Sequence, residues 1–212
     1  MPILLHIDSS PMGEASISRL LTREFVRRWR SAHPAAEIIS RDLTTAHIPV
    51  VTAEWVAANY TPAESRTTQQ NEILKPSTQF TREVLRADEY VIGVPMHNWG
   101  PASSLKLWTD QIVRFGETVL ITPSGMRGTL GAKKITFLIA AGRHYKPGPA
   151  DAPRSLLIPW LQMFFGHLGV QEMQFHVAEG AADIRLGKVD RADFLAPHLA
   201  AVESLFEQPS LR

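Results

Sequence analysis

Cysteine is absent from all 212 residues. Its absence excludes disulfides, thiolate catalysis and cysteine-ligated metal. No apolar run reaches the roughly 18 residues that a membrane-spanning helix needs. Charge of one sign is also missing: Lys and Arg number 22 against 21 for Asp and Glu. Without a basic tract there is no bulk electrostatic case for a nucleic-acid or anionic-membrane partner. Three motifs are wanting as well. There is no Gly-x-x-x-x-Gly-Lys-Ser/Thr to cradle a triphosphate, no Gly-x-Gly-x-x-Gly to cradle a dinucleotide, and no Gly-x-Ser-x-Gly nucleophile elbow. The eight histidines show no ligand spacing, so no metal site is expected. Met1-Pro2 runs straight into Ile3-Leu4-Leu5 without a basic leader, which sets the expectation of a cytoplasmic protein.

What is present is a set of short apolar runs separated by helix-period segments. Ile3 to Ile7, Glu37 to Arg41, Tyr90 to Val94, Ile135 to Ala140 and Glu172 to Val177 read as five strands. Between the first two, Ile17, Leu21, Phe25 and Trp29 recur at four-residue spacing, one face of a helix with Ser16 as its N-cap. Thr67 to Ala87 is helix-forming, and Pro76 is expected to end or kink it near Lys75. After the third strand a helix is expected near Pro101, with Ser103 or Ser104 serving its free N–H groups. Leu105, Trp108, Ile112 and Phe115 would form its buried face. Further helices are expected over Ser155 to Leu168 and Val189 to Phe206. Hydrophobic residues make up 44% of the chain, enough for the core of one large domain over residues 1–212. Strands joined by helices give a doubly wound α/β domain with a five-stranded parallel sheet, flavodoxin-like, in the order 2-1-3-4-5.

Ligands of such sheets sit at the carboxyl ends of the strands, and three loops lie there. The first, Asp8 to Ser18, carries Ser9, Ser10, Ser16 and Ser18 before a helix start. A helix N-terminus with hydroxyls suits a phosphate; the alternative is ordinary N-capping, in which one serine caps and the rest are solvated. The loop contains no Lys or Arg, so a phosphate would be held there by dipole and hydroxyls. The second loop, Met96-His97-Asn98-Trp99-Gly100, could lay a flat heteroaromatic ring against Met96 and Trp99, with Asn98 at its edge; His97 is given no catalytic role. The third, Ala141-Gly142-Arg143-His144-Tyr145, offers Gly142 for a tight turn or close approach. Arg143 there is either a partner for an anionic edge or a solvated charge.

Pro95-Met96-His97-Asn98-Trp99, followed by Leu105-Lys106 and Asp110, resembles the Pro-Met-Tyr-Asn-Phe loop and Leu-Lys-x-x-x-Asp helix of the FMN-dependent NAD(P)H:quinone oxidoreductases of the azoreductase family. Lys133-Lys134, Gly148-Pro149, Pro159-Trp160-Leu161 and Gly166-His167-Leu168-Gly169 extend the resemblance along nearly the whole chain. The resemblance implies flavin mononucleotide (FMN) as cofactor. Ser10, Ser16, Ile17 and Ser18 would hold its phosphate and ribityl chain. Met96, His97, Asn98 and Trp99 would line its ring, and Ala140, Ala141, Gly142 and Arg143 its pyrimidine side. It further implies a homodimer with active sites at the interface. Hydride would pass from NAD(P)H to FMN, and from there to a quinone or azo compound, in a ping-pong cycle. A flavin site also accounts for the lack of a catalytic acid, base or nucleophile, since the cofactor carries the chemistry. The alternatives are an electron-carrier flavodoxin, a regulatory flavoprotein without turnover, and a non-flavin α/β hydrolase or transferase using the serine loop on a phosphorylated substrate. His97 in place of Tyr, Ala-Ala-Gly-Arg in the third loop and a longer Asp151–Ile158 segment depart from the family on the substrate side.

Overall fold

Residues 1–145 and 156–207 are described by the computed structural model. In chain order, β1 (Ile3–Asp8) leads into α1 (Ile17–Ala32), β2 (Glu37–Asp42), α2 (Ala53–Tyr60) and α3 (Thr68–Arg86). Next come β3 (Glu89–His97), β4 (Gly100–Pro101), α4 (Ser103–Ile112), β5 (Val119–Thr122) and β6 (Gly125–Gly128). The series closes with β7 (Lys134–Ala140), α5 (Leu157–His167), β8 (Glu172–Ala178), α6 (Ala182–Arg185) and α7 (Arg191–Ser204). Gly148-Pro149 and most of the Asp151–Ile158 segment lie outside the described residues.

The main sheet runs β2-β1-β3-β7-β8, every neighbour parallel. Counting parallel strands alone, this is the expected order 2-1-3-4-5. Successive residues of a strand face opposite sides, and the core divides accordingly. Leu5, Ile7, Tyr90, Ile92, Phe137 and Ile139 pack beneath α3, α4 and α5. Leu4, Val91 and Leu138 pack beneath α1 and α7, against Leu21, Phe25, Trp29 and Val202. Each fully buried side chain of this size contributes about 1.5–3 kcal/mol. The interior is apolar on both faces, which is why these strands read as continuous apolar runs and do not alternate.

Three local expectations are corrected. Helix α3 does not end at Pro76; it continues to Arg86. Leu74, Ser77, Phe80, Thr81 and Val84 are buried on both sides of the proline, and the Ser77 hydroxyl donates to the Gln111 carbonyl at 2.5 Å. That packing offsets the one helical hydrogen bond a proline removes. Pro101 does not open α4. Gly100 and Pro101 pair antiparallel with His97 and Met96, so the helix begins at Ser103. Its N-cap is Ala102 without a side-chain cap; Ser104 Oγ instead donates to the Ser9 carbonyl at 3.1 Å. Phe115 lies beyond the helix and packs its ring on Tyr60 at 4.5 Å.

The stretch from Gly116 to Lys134 forms an antiparallel β5–β6 hairpin seated on the end of α5. A Cβ at residue 128 would lie 1.9 Å from the Leu168 carbonyl carbon, so only glycine admits this contact. Gly128→Ala should therefore lower stability by about 1–3 kcal/mol, the usual cost of forced overpacking. Urea unfolding measures this; an unchanged midpoint would show that the hairpin is not docked there.

Candidate functional site at the carboxyl edge of the sheet

The strand order reverses between β1 and β3, and both strands end at one rim. The first loop is tied down from the start: Ser9 Oγ and Ser9 N both donate to the Gly93 carbonyl, at 2.7 and 3.3 Å. A single 3-10 turn at Gly13–Ala15 carries the chain to Ser16, the N-cap of α1. Ser16 Oγ accepts from Arg19 N at 3.3 Å and lies 3.2 Å from Ser18 Oγ. Ser10, Ser16 and Ser18 are all buried. The N–H groups of Ile17 and Ser18 have no hydrogen-bond partner among the described residues, as expected of a helix start. Buried hydroxyls and open N–H donors thus converge at the positive end of a 16-residue helix.

Arg19 sets the shape of this loop. Its Nε and Nη2 donate to the Ser10 carbonyl at 2.9 and 2.7 Å, while Nη1 and Nη2 each reach Asp42 at 2.7 Å. Those hydrogen bonds hold the Asp42 carboxyl down at about 2, with further help from the Thr44 N–H and hydroxyl. One guanidinium therefore pins the serine loop to the end of β2 in a fixed fork geometry.

The second loop is a tight hairpin. His97 pairs with Gly100 across Asn98 and Trp99, whose φ values are 47° and 66°. Two consecutive left-handed residues define a type I′ turn. Asn tolerates that conformation, whereas a tryptophan there is strained. The third loop is stitched to the segment after β8. Ala141 N donates to the Ala178 carbonyl at 2.9 Å, and Ala182 N to the Gly142 carbonyl at 3.0 Å. A Cβ at Gly142 would meet Ala182 Cβ at an ordinary 3.8 Å, so the turn does not depend on glycine as expected.

These loops, with the α6–α7 segment, line an open cavity of about 470 Å³, within the range of small-molecule sites. Six expected residues line it: Ser10, Ser16 and Ile17 from the first loop, His97 from the second, Ala140 and Gly142 from the third. The other six do not. Ser18 and Ala141 are fully buried behind the wall, Met96 packs against the core, and Asn98, Trp99 and Arg143 are exposed. Sequence reasoning missed Met12, Ala15 and Pro95, which are neighbours of expected residues, and the whole α6–α7 side, including Ile184, Arg185 and Arg191. A signal did exist for that side. β8 ends at the same rim, and Gly180 with φ 81° marks a fourth strand-end turn. Among the described residues no group of three or more His, Asp or Glu could hold a metal ion, and no helix is long and apolar enough to cross a membrane.

A family model described as flavodoxin-like fold matches residues 3–205. An FMN-dependent NADH:quinone oxidoreductase 3 of Burkholderia lata is 58% identical over 203 residues, covering 96% of this chain and 98% of that protein. The chain belongs to the FMN-dependent NADH:quinone oxidoreductase family. A second family member, from Acidobacterium capsulatum, is 45% identical and covers 95% of this chain and 98% of its own length. Among solved structures, an azoreductase from Bacillus anthracis str. Sterne superposes with a TM-score of 0.85 at 23% identity, covering 97% of this chain and 99% of that one. An FMN-dependent NADH-azoreductase from Bacillus anthracis str. Ames Ancestor, in complex with FMN, gives 0.85 at 21% identity and covers 98% of each chain. These two likenesses establish the fold.

The hairpin turn generates a test in this family member. Trp99→Gly removes the left-handed strain of a bulky residue and should raise stability by about 1 kcal/mol. Urea unfolding of the cofactor-free protein reads this directly, and a loss of stability would show that the Trp99 side chain is held by packing worth more than the strain.

Proposed function

We propose that the chain is an FMN-dependent oxidoreductase that moves two electrons from NADH to a quinone or azo compound. The observation that carries this is the convergence of Ser10, Ser16, Ile17, His97, Ala140 and Gly142 on one cavity at the carboxyl rim of the sheet. The residues present fit the cofactor. Ser16 and Ser10, with the open N–H groups of Ile17 and Ser18, supply hydrogen-bond donors suited to a phosphate monoester. Each bond to that charged group contributes about 1.5–3 kcal/mol. Pro95 and His97 give the ring one wall, and the strained Asn98–Trp99 turn follows directly after it. Ala140 and Gly142 line the pyrimidine side, and the loop between them is fixed by the bonds of Ala141 and Gly142 to the segment after β8.

FMN held by Ser10, Ser16 and the Ile17 and Ser18 N–H groups would supply the chemistry for two-electron transfer between NADH and the acceptor. The chain's part is to bind, to orient and to limit water around the ring. None of the residues lining the cavity is assigned as an acid, base or nucleophile. The functional assembly is a homodimer with its sites at the interface. Support for that comes from α5, which packs against β4 and exposes Met163, with the exposed Leu156 at its N-cap.

The test uses purified protein incubated with FMN, freed of excess by gel filtration and examined by visible spectroscopy. Flavin should stay bound, and NADH should be consumed steadily only when both FMN and a benzoquinone are present. Protein that keeps no flavin would sink the proposal. Retained flavin without NADH oxidation would support the electron-carrier alternative.

A further inference from the structure

Helix α7 begins at the serine loop, although 176 residues of chain separate the two. Arg191, its first residue, donates from Nη2 to the Ala15 carbonyl at 3.1 Å and to the Glu14 carbonyl at 3.4 Å. Both carbonyls belong to the 3-10 turn that ends against Ser16. A guanidinium is thereby seated beside the N-cap of α1, two to three residues from the open N–H groups of Ile17 and Ser18. Arginine carries five N–H donors in a planar fork suited to phosphate. Nη2 makes both carbonyl bonds, leaving Nε and Nη1 for another acceptor. Arg185, the last residue of α6, lines the same cavity.

The neighbouring carboxylates are otherwise engaged. Both Glu14 oxygens accept from Arg23 Nη2 at 2.8 Å. Asp183 is paired with Lys188 at 3.2 Å and His144 at 3.3 Å, and an Asp190 oxygen caps α7 through Ala192 N at 2.7 Å. Asp8 and Asp42 are held by Arg19. What faces the cavity between Ser16 and Arg191 is therefore a set of donors with two fixed positive charges. A phosphate monoester brings about −1.5 to −2 charges at pH 7, which hydroxyls and a helix dipole alone leave without a counter-ion.

We propose that Arg191, with Arg185 beside it, forms the cationic wall of the FMN phosphate site, so that the α6–α7 segment distinguishes FMN from riboflavin. This rests on the FMN reading above. The serine loop positions the phosphate, and the distant arginines neutralise it. Because this wall is only partly buried, its contribution is screened by salt.

The experiment measures FMN and riboflavin dissociation constants by flavin fluorescence quenching, at low and high salt. The proteins are wild type, Arg191→Gln, Arg185→Gln and Arg191→Lys, each checked by thermal unfolding without flavin. In Arg191→Gln, FMN affinity should fall about tenfold or more, the loss of one hydrogen bond to a charged group. Riboflavin affinity should be unmoved, and the salt dependence of FMN binding should shrink. Arg185→Gln should show a smaller loss confined to FMN, and Arg191→Lys should recover part of the FMN affinity. If Arg191 only braces the 3-10 turn, both flavins weaken alike, and that result overturns the inference. So does wild-type discrimination retained in Arg191→Gln. Wild-type protein that holds neither flavin instead overturns the reading on which the inference rests.

Discussion

Helix α1 can lie close over β1 and β3 only because residue 93 has no side chain. A Cβ there would sit 2.9 Å from both Asp8 Oδ1 and Thr22 Cγ2, and 3.3 Å from the Ser18 carbonyl. The same residue's carbonyl receives Ser9 N and Ser9 Oγ. One glycine in the middle of β3 therefore fixes both how near the helix comes and where the preceding loop is anchored. With α1 at that height, its first turn opens onto the carboxyl rim at the point where strand order reverses. The second and third loops arrive at the same rim because β3 and β7 are its neighbours in register. The cavity follows from the approach of one helix to one strand.

Electrostatics then favours one kind of occupant. Two carboxylates lie under the serine loop, Asp8 and Asp42, and both are neutralised from within the protein. Thr22 Oγ1 donates to Asp8 at 2.8 Å, and Arg19 spans Asp8, Asp42 and the Ser10 carbonyl. An uncompensated carboxylate there would oppose any anion in the pocket. With those charges internally paired, the helix end, the hydroxyls and the two arginines dominate the field. Arg19 thus acts at a distance from the ligand, by holding the loop open and cancelling the charges beneath it.

The parts legible in the sequence were those governed by local rules. Five apolar runs became five parallel strands, and the expected cap Ser16 sits where its side chain accepts from Arg19 N. The failures were tertiary. Pro76 should stop a helix in isolation, but side chains buried on either side of it keep α3 continuous. Pro101 has the fixed φ that suits a helix start, yet the type I′ turn at Asn98 and Trp99 folds it back onto β3. Arg143 stands in the expected loop but is exposed, while the arginines that reach the cavity come from the other end of the chain. No spacing rule connects Arg191 to Ala15; only the placement of β8 beside β7 does. Half of the candidate residues line the cavity because strand ends are local features. The rest depended on which elements the sheet order makes neighbours.

The central claim is positional: the phosphate of FMN lies at the first turn of α1, with the ring across the ends of β3 and β7. A crystal structure of the protein with FMN tests it most directly. The account requires phosphate oxygens within hydrogen-bond distance of the Ile17 and Ser18 N–H groups, with the ring between His97 and Ala140–Gly142. Flavin density elsewhere, or a phosphate turned away from α1 toward solvent, would contradict it.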